Sequence, residues 1–284
     1  MSSAVPSPPQ PSPSRGEGAA PFPSPLEDEG GAQPSGWEGE GAATALAARL
    51  NALHRHASPQ EILRAALTAL PGKLAVVSSF GAESAVLLHM AASVDPATPV
   101  VFLETGMLFG QTLDYRKRLA ETLGLTDVRD IHPAKDELAA VDPASTLWKS
   151  DVDACCNVRK VIPLARALEG FGGWITGRKR FQGGERMSLP VFEVEDGKLK
   201  VNPLANMTKA DLDAYAAEHA LAAHPLVAFG YPSIGCWPCT KAVEAGQDAR
   251  AGRWSGLDKT ECGIHKAPEP AARRGVDPSL SEGV

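Results

Sequence analysis

The chain has 284 residues, 43% of them hydrophobic, and a formal net charge of −6 at pH 7. That length and apolar content suit a soluble globular protein of one large or two small domains. The longest apolar-looking run, LAVVSSFGAESAVLLHMAAS, is broken by Ser78, Ser79, Gly81, Glu83 and Ser84 and falls short of the roughly 20 apolar residues of a membrane helix, so no membrane span is expected.

In chain order, residues 1–40 come first, with nine of the 24 prolines and six acids against one base. Such a composition buries too little apolar surface to offset its ordering entropy, so residues 1–42 are expected to be a disordered Pro/Ser/acidic tail. The tail has no basic region leading into an apolar one, which argues against a secretory signal and for the cytoplasm. Without the tail's charge the remainder is near neutral and offers no general attraction for nucleic acid, though local basic patches can still bind small anions.

Helical patterning begins near Thr44 (TALAARLNALHRH) and resumes after Ser58, an N-cap, with PQEILRAALTAL, ending at Pro71-Gly72. KLAVVSSF then reads as a buried strand, AESAVLLHMAA as a helix, PVVFLET as a strand, QTLDYRKRLAETLG as a helix and TDVRDIHP as a strand. NVRKVIPLARALEG is a helix and GWITG a strand; VFEVEDGKLKVNPL is a hairpin around Glu-Asp-Gly, and TKADLDAYAAEHAL is a helix with a Thr cap. Alternating strands and helices imply right-handed crossovers and an α/β fold, a parallel or mixed sheet flanked by helices. Residues 43–232 are expected to form this nucleotide-binding domain, and 233–284 an irregular Cys-containing segment.

In an open α/β sheet, ligands sit beyond the carboxyl ends of the strands, and helix N-termini favour phosphate. The loop Ser78–Ser84 (Ser78, Ser79, Phe80, Gly81, Glu83, Ser84) follows the first strand, where glycine and serines allow close backbone approach; an ordinary strand-to-helix turn reads the same way. Glu104, Thr105 and Gly106 end the second strand, although Glu104 also fits a solvated loop acid. After GWITG come Arg178, Lys179, Arg180, Gln182 and Arg186. Arginine forks match phosphate or sulfate oxygens in a bidentate way, which favours anion binding over a merely solvated loop.

Five cysteines are an odd number for a disulfide framework. Cys155 and Cys156 are adjacent, and Cys236 and Cys239 form a CxxC. Together they offer four thiolates for zinc or a [4Fe–4S] cluster, and spacing alone does not choose between these and a redox dithiol. Cys262 stands apart, in a polar context with His265 three residues on, a setting that favours a reactive thiol.

From about Leu46 to Lys266 the chain resembles the assimilatory sulfonucleotide reductases, and specifically the iron–sulfur, thioredoxin-dependent branch acting on adenylylsulfate (APS). The resemblance rests on Cys155–Cys156, on Cys236–Cys239, and on ECGIH at Glu261–His265, which looks like that family's ECG(L/I)H signature. It implies an adenine nucleotide alpha hydrolase-like fold, a [4Fe–4S] cluster on the four cysteines, and Cys262 as the nucleophile. Cys262 would attack the sulfate sulfur of APS, expel AMP and carry an S-sulfo group that thioredoxin or glutaredoxin releases as sulfite. By the same resemblance, His265, Arg250 and Arg253 face the substrate's anions, and Lys160 lies between cluster and substrate. A homo-oligomer is left open.

SSFGAES lacks the paired glycines of the ATP-pyrophosphatase loop, which argues against ATP as substrate and against an ATP-dependent ligase or tRNA-thiolating enzyme. The family commonly has a serine where Gly183 stands. Competing readings are reduction of 3′-phosphoadenylylsulfate (PAPS), alone or together with APS, and a zinc-stabilised binding module.

Overall fold

The computed structural model describes residues 40–244, 246–256, 259, 261, 263 and 264, all within one compact unit. Most of the tail expected at 1–42 lies outside the described residues, as do Cys262 and His265. Helix α1 (Glu40–His54) starts a few residues before the expected Thr44. Helix α2 (Pro59–Ala69) opens on the expected Ser58 cap, with Glu61 completing a capping box.

Six strands form one sheet: β1 (Leu74–Ser78), β2 (Val100–Leu103), β3 (Val128–Ile131), β4 (Gly173–Ile175), β5 (Phe192–Glu195) and β6 (Lys198–Val201). Their spatial order is β3-β2-β1-β4-β6-β5. All neighbours run parallel except the edge pair β5/β6, an antiparallel hairpin turning at Asp196-Gly197, both with positive φ. The sheet is therefore mixed, as expected. Helices α3 (Ser84–Val94) and α4 (Gly110–Thr122) cross from β1 to β2 and from β2 to β3. Helix α9 (Lys209–Glu218) follows the hairpin from a Thr208 capping box.

Alternation within the buried strands splits the core into two layers. Leu74 and Val76 of β1, with Val100 and Phe102 of β2, pack towards α1, α2 and α3. Ala75 and Val101 face the opposite way, against Leu164, Leu168 and Trp174. Each fully buried aliphatic or aromatic side chain contributes about 1.5–3 kcal/mol over its exposed state.

Between β3 and β4 the chain differs from the expectation. Two short helices, α5 (Lys135–Val141) and α6 (Leu147–Ser150), precede a helical run that starts at Val152 rather than Asn157. Asp151 caps that run by accepting from the Ala154 N–H. It comprises α7 (Val152–Cys156), one widened π turn (Asn157–Val161) and α8 (Ile162–Ala167).

Candidate active site

β1 leads into β2 on one side and its other neighbour is β4, so the chain reverses direction across the sheet there and opens a crevice at the strands' carboxyl ends. A cleft of about 230 Å³ occupies this position. Ser78, Ser79, Gly81, Glu83 and Ser84 line it from the first loop, Thr105 from the second, and Arg178, Gln182 and Arg186 from the loop after β4. Lys160, Arg250 and Arg253 complete a cationic wall.

Four predicted residues lie elsewhere. Phe80 adopts a left-handed backbone, φ 48°, that turns its ring into the core, edge-to-face on Phe102 at 5.3 Å. Its N–H donates to Ser78 Oγ, so the residue shapes the loop from beneath. Glu104 accepts from the Gly106 N–H and sits 3.2 Å from His132 Nδ1, and neither it nor Gly106 is a lining residue. Arg180 donates to the Leu189 carbonyl, outside the cleft.

Charge is closely held around the cleft. Lys179 Nζ lies 2.7 Å from Glu83 Oε2, and Gln182 Nε2 reaches the same oxygen at 3.5 Å. Burial pushes the Lys179 ammonium below its ordinary pKa, opposed by Glu83. Arg178 pairs with Glu193, which also accepts from Asn202 Nδ2. Burial lowers the Arg178 pKa, against the pull of Glu193. Arg186 grips Glu261 with Nε at 2.6 Å and Nη2 at 2.8 Å, while its Nη1 donates to Gln182. Glu261 is pushed up by burial but held below the usual carboxylate range on balance by Arg186, Arg250 and Arg178.

Glu261 and Ile264 flank Cys262 in the chain and line the cleft. Ile264 also packs against the second core layer, and the space for a side chain at Gly263 opens towards Val161.

The CxxC segment docks onto the loop after β2. The Trp237 N–H donates to the Met107 carbonyl at 2.8 Å, Leu108 and Cys236 form an isolated antiparallel bridge, and Thr105 Oγ1 lies 3.3 Å from Cys236 Sγ. That docking brings Cys236 into one small apolar cluster with Cys155 and Met107. Burial first, and then neighbouring Cys156 and Cys236, push the Cys155 thiol up to about 11. Burial and Cys236 raise Cys239 likewise. None of the four described cysteines is joined in a disulfide. Lys160 Nζ donates to Cys156 Sγ at 3.6 Å while lining the cleft, so it bridges the cysteines and the cavity. Among the described residues, no three His, Cys, Asp or Glu side chains are disposed around a single metal ion.

Buried Arg159 ties these pieces together: it donates to the Thr105 carbonyl at 2.9 Å and pairs with buried Asp142 at 2.7 Å. Asp142 in turn accepts from the Thr146 and Leu147 N–H groups.

A family model described as phosphoadenosine phosphosulfate reductase domain matches residues 73–242. The chain belongs to this reductase family. One relative, an adenosine 5′-phosphosulfate reductase of Mesorhizobium japonicum, is 53% identical over 222 residues, covering 78% of this chain and 87% of the relative. Another of the same name, from a Chelativorans species, is 51% identical over 221 residues, covering 77% and 90%. Among solved structures, the phosphoadenylyl-sulfate (PAPS) reductase of Candida auris in a phosphate complex aligns with a TM-score of 0.59 and 32% identity, covering 69% of this chain and 96% of that one.

Several lining residues of this reductase-family cleft carry no signal in the sequence. Pro232–Gly235 reach it from an aperiodic stretch. A Cβ at Gly235 would stand 2.4 Å from Arg253 Nη2, so a side chain there would displace the Arg253 guanidinium. Trp254, also buried at the cleft, sits beneath the charges of Arg253, Arg250 and Lys259 at 4.5, 5.9 and 5.8 Å.

Proposed function

We propose that this chain reduces adenosine 5′-phosphosulfate to sulfite and AMP, with a thiol reductant of the thioredoxin or glutaredoxin class, in the cytoplasm, where thiols are kept reduced. The observation that carries the reading is that Glu261 and Ile264, on either side of Cys262, line the same cleft as the strand-end loops and the arginines. The names and identities of the relatives support the substrate.

In the proposed reaction the Cys262 thiolate attacks the sulfate sulfur. The S–O bond to the AMP phosphate breaks, and AMP leaves with its electron pair. A reductant thiolate then attacks Cys262 Sγ and sulfite departs with the S–S bonding pair. The reductant's second thiol closes its own disulfide and frees Cys262. Because an anion attacks an anion, the substrate's charge must be masked first. Lys160, Arg250 and Arg253 supply the positive field at the cleft, and the family resemblance adds His265, three residues after Cys262 in the chain. The loop Ser78–Ser84 and the N-terminus of α3 suit the nucleotide phosphate.

Cys155, Cys156, Cys236 and Cys239 would hold a [4Fe–4S] cluster. The donor set fits: four thiols on two segments, none in a disulfide and three of them buried, with Cys156 and Cys236 raising the Cys155 pKa and Arg159 and Lys160 opposing them. A single tetrahedral ion at about 2.3 Å from each sulfur needs a tighter thiolate cage than a four-iron core does. When bound, the cluster supplies a covalent cross-link between the two segments and a local charge.

The test of the function is turnover: with reduced thioredoxin, APS should yield sulfite and AMP, and Cys262→Ser should abolish it while keeping the fold. Turnover with PAPS at the same or greater efficiency would replace APS as the proposed substrate.

A further inference from the structure

Arg186 is one of the basic residues of the loop after β4 that the sequence offers to a substrate oxyanion, yet its guanidinium is engaged by other side chains. Nε and Nη2 make a two-point fork onto Glu261, at 2.6 and 2.8 Å, and Nη1 donates to Gln182. Arg250 Nη2 approaches the same carboxylate at 3.5 Å. The fork lies inside the cleft, with 11% of the Arg186 and 18% of the Glu261 side chain exposed. A carboxylate presents two oxygens to a guanidinium much as a phosphate or sulfate face does. Glu261 therefore stands where an anionic ligand of Arg186 would stand.

We propose that Glu261 is an internal competitor for the anion subsite formed by Arg186 and Arg250, and that a nucleotide's phosphate or sulfate must displace its carboxylate to bind there. This rests on the reading of the cleft as a nucleotide site. Glu261 remains ionised at neutral pH because burial, which favours the neutral acid, is outweighed by the three arginines. The competition therefore operates throughout the neutral range. In a two-state description, the apparent dissociation constant is the intrinsic one divided by the fraction of molecules whose arginines are open. If a largely buried bidentate pair keeps that fraction at about 10–20%, removing the carboxylate tightens binding by about 5–10-fold.

The experiment is AMP binding by titration calorimetry to the full chain, prepared anaerobically, as wild type, Glu261→Gln, Glu261→Asp, Arg186→Gln and the Glu261→Gln/Arg186→Gln double variant. Circular dichroism on each sample checks the fold. Glu261→Gln should bind AMP about 5–10-fold more tightly, and Glu261→Asp, which keeps the charge, should stay nearer wild type. Arg186→Gln should weaken binding, and adding Glu261→Gln to it should change affinity less than about 2-fold, because the two residues act as a unit. Unchanged or weaker AMP binding by a folded Glu261→Gln protein overturns the proposal, as does an equal gain in the Arg186→Gln background. Failure of wild type to bind AMP overturns the nucleotide reading of the cleft itself, whereas AMP binding that ignores Glu261 overturns only the competition.

Discussion

Truncating Phe80 to alanine separates a packing role from a contact with substrate. The residue belongs to the loop that the sequence assigns to the nucleotide, but its ring is fully buried and meets Phe102 edge-to-face at 5.3 Å. Losing a buried phenyl costs about 3–5 kcal/mol, including the cavity left behind. The backbone, at φ 48°, stays left-handed with alanine, so the truncation recovers none of that strain. Glycine at the same position relieves about 1–2 kcal/mol of strain and loses about 0.5–1 kcal/mol to unfolded-chain entropy, so Phe80→Gly should be no less stable than Phe80→Ala. With a urea slope of about 2 kcal/mol/M, the midpoint should fall by about 1.5–2.5 M. Urea unfolding followed by circular dichroism reads this directly, and the KM for the nucleotide substrate is measured in parallel on folded protein. A midpoint shift below about 0.5 M together with a large rise in KM would refute the packing role and return Phe80 to the substrate.

The remaining predictions concern titration and metal. Burial pushes the His224 imidazole down to about 4 from 6.5, while Thr112 Oγ1 sits 3.0 Å from its Nε2 and the Leu226 N–H donates to its Nδ1. The folded pKa is depressed, so the unfolded chain binds the extra proton first: the stability of neutral His224 is complete above about 6.5 and declines as pH falls towards 4. The loss is at most about 3 kcal/mol. Urea midpoints between pH 7 and pH 4 should show this fall, and His224→Gln should flatten it; an equal slope in the variant contradicts the assignment. For the cysteines, an anaerobic preparation should contain about four irons per chain with visible thiolate-to-iron absorbance, and stoichiometric zinc instead would contradict the cluster.

Much of the fold could be read in the sequence because β1, β2 and β4 are short continuous apolar runs between helical patterns, the mark of strands covered on both faces. The caps at Ser58 and Thr208 were equally plain. Helix α5 was not, since none of its residues is buried and it offers no apolar periodicity. Helix α6 is a single turn, and the start of α7 is set by Asp151 rather than by a hydrophobic face. In the site, the strand-end rule picked out the loops after β1 and β4, but it says nothing of where side chains point. Positive φ sends Phe80 inward, and capping of Gly106 turns Glu104 away. The contribution of Pro232–Gly235 depends on docking against Met107 and Leu108, more than a hundred residues earlier, and local pattern cannot show that. Glu261 stood within a recognisable motif, yet its fork with Arg186 spans 75 residues and needed the folded chain to appear.

The central claim is that Cys262 takes the sulfuryl group from the nucleotide. The most direct measurement is intact and peptide mass spectrometry of the wild-type protein after incubation with APS and no thiol reductant. A mass increase of one SO3 group confined to the peptide containing Cys262, removed on adding reduced thioredoxin with release of sulfite, is the predicted result. An unmodified Cys262 in protein that still turns over APS when thioredoxin is supplied would contradict it.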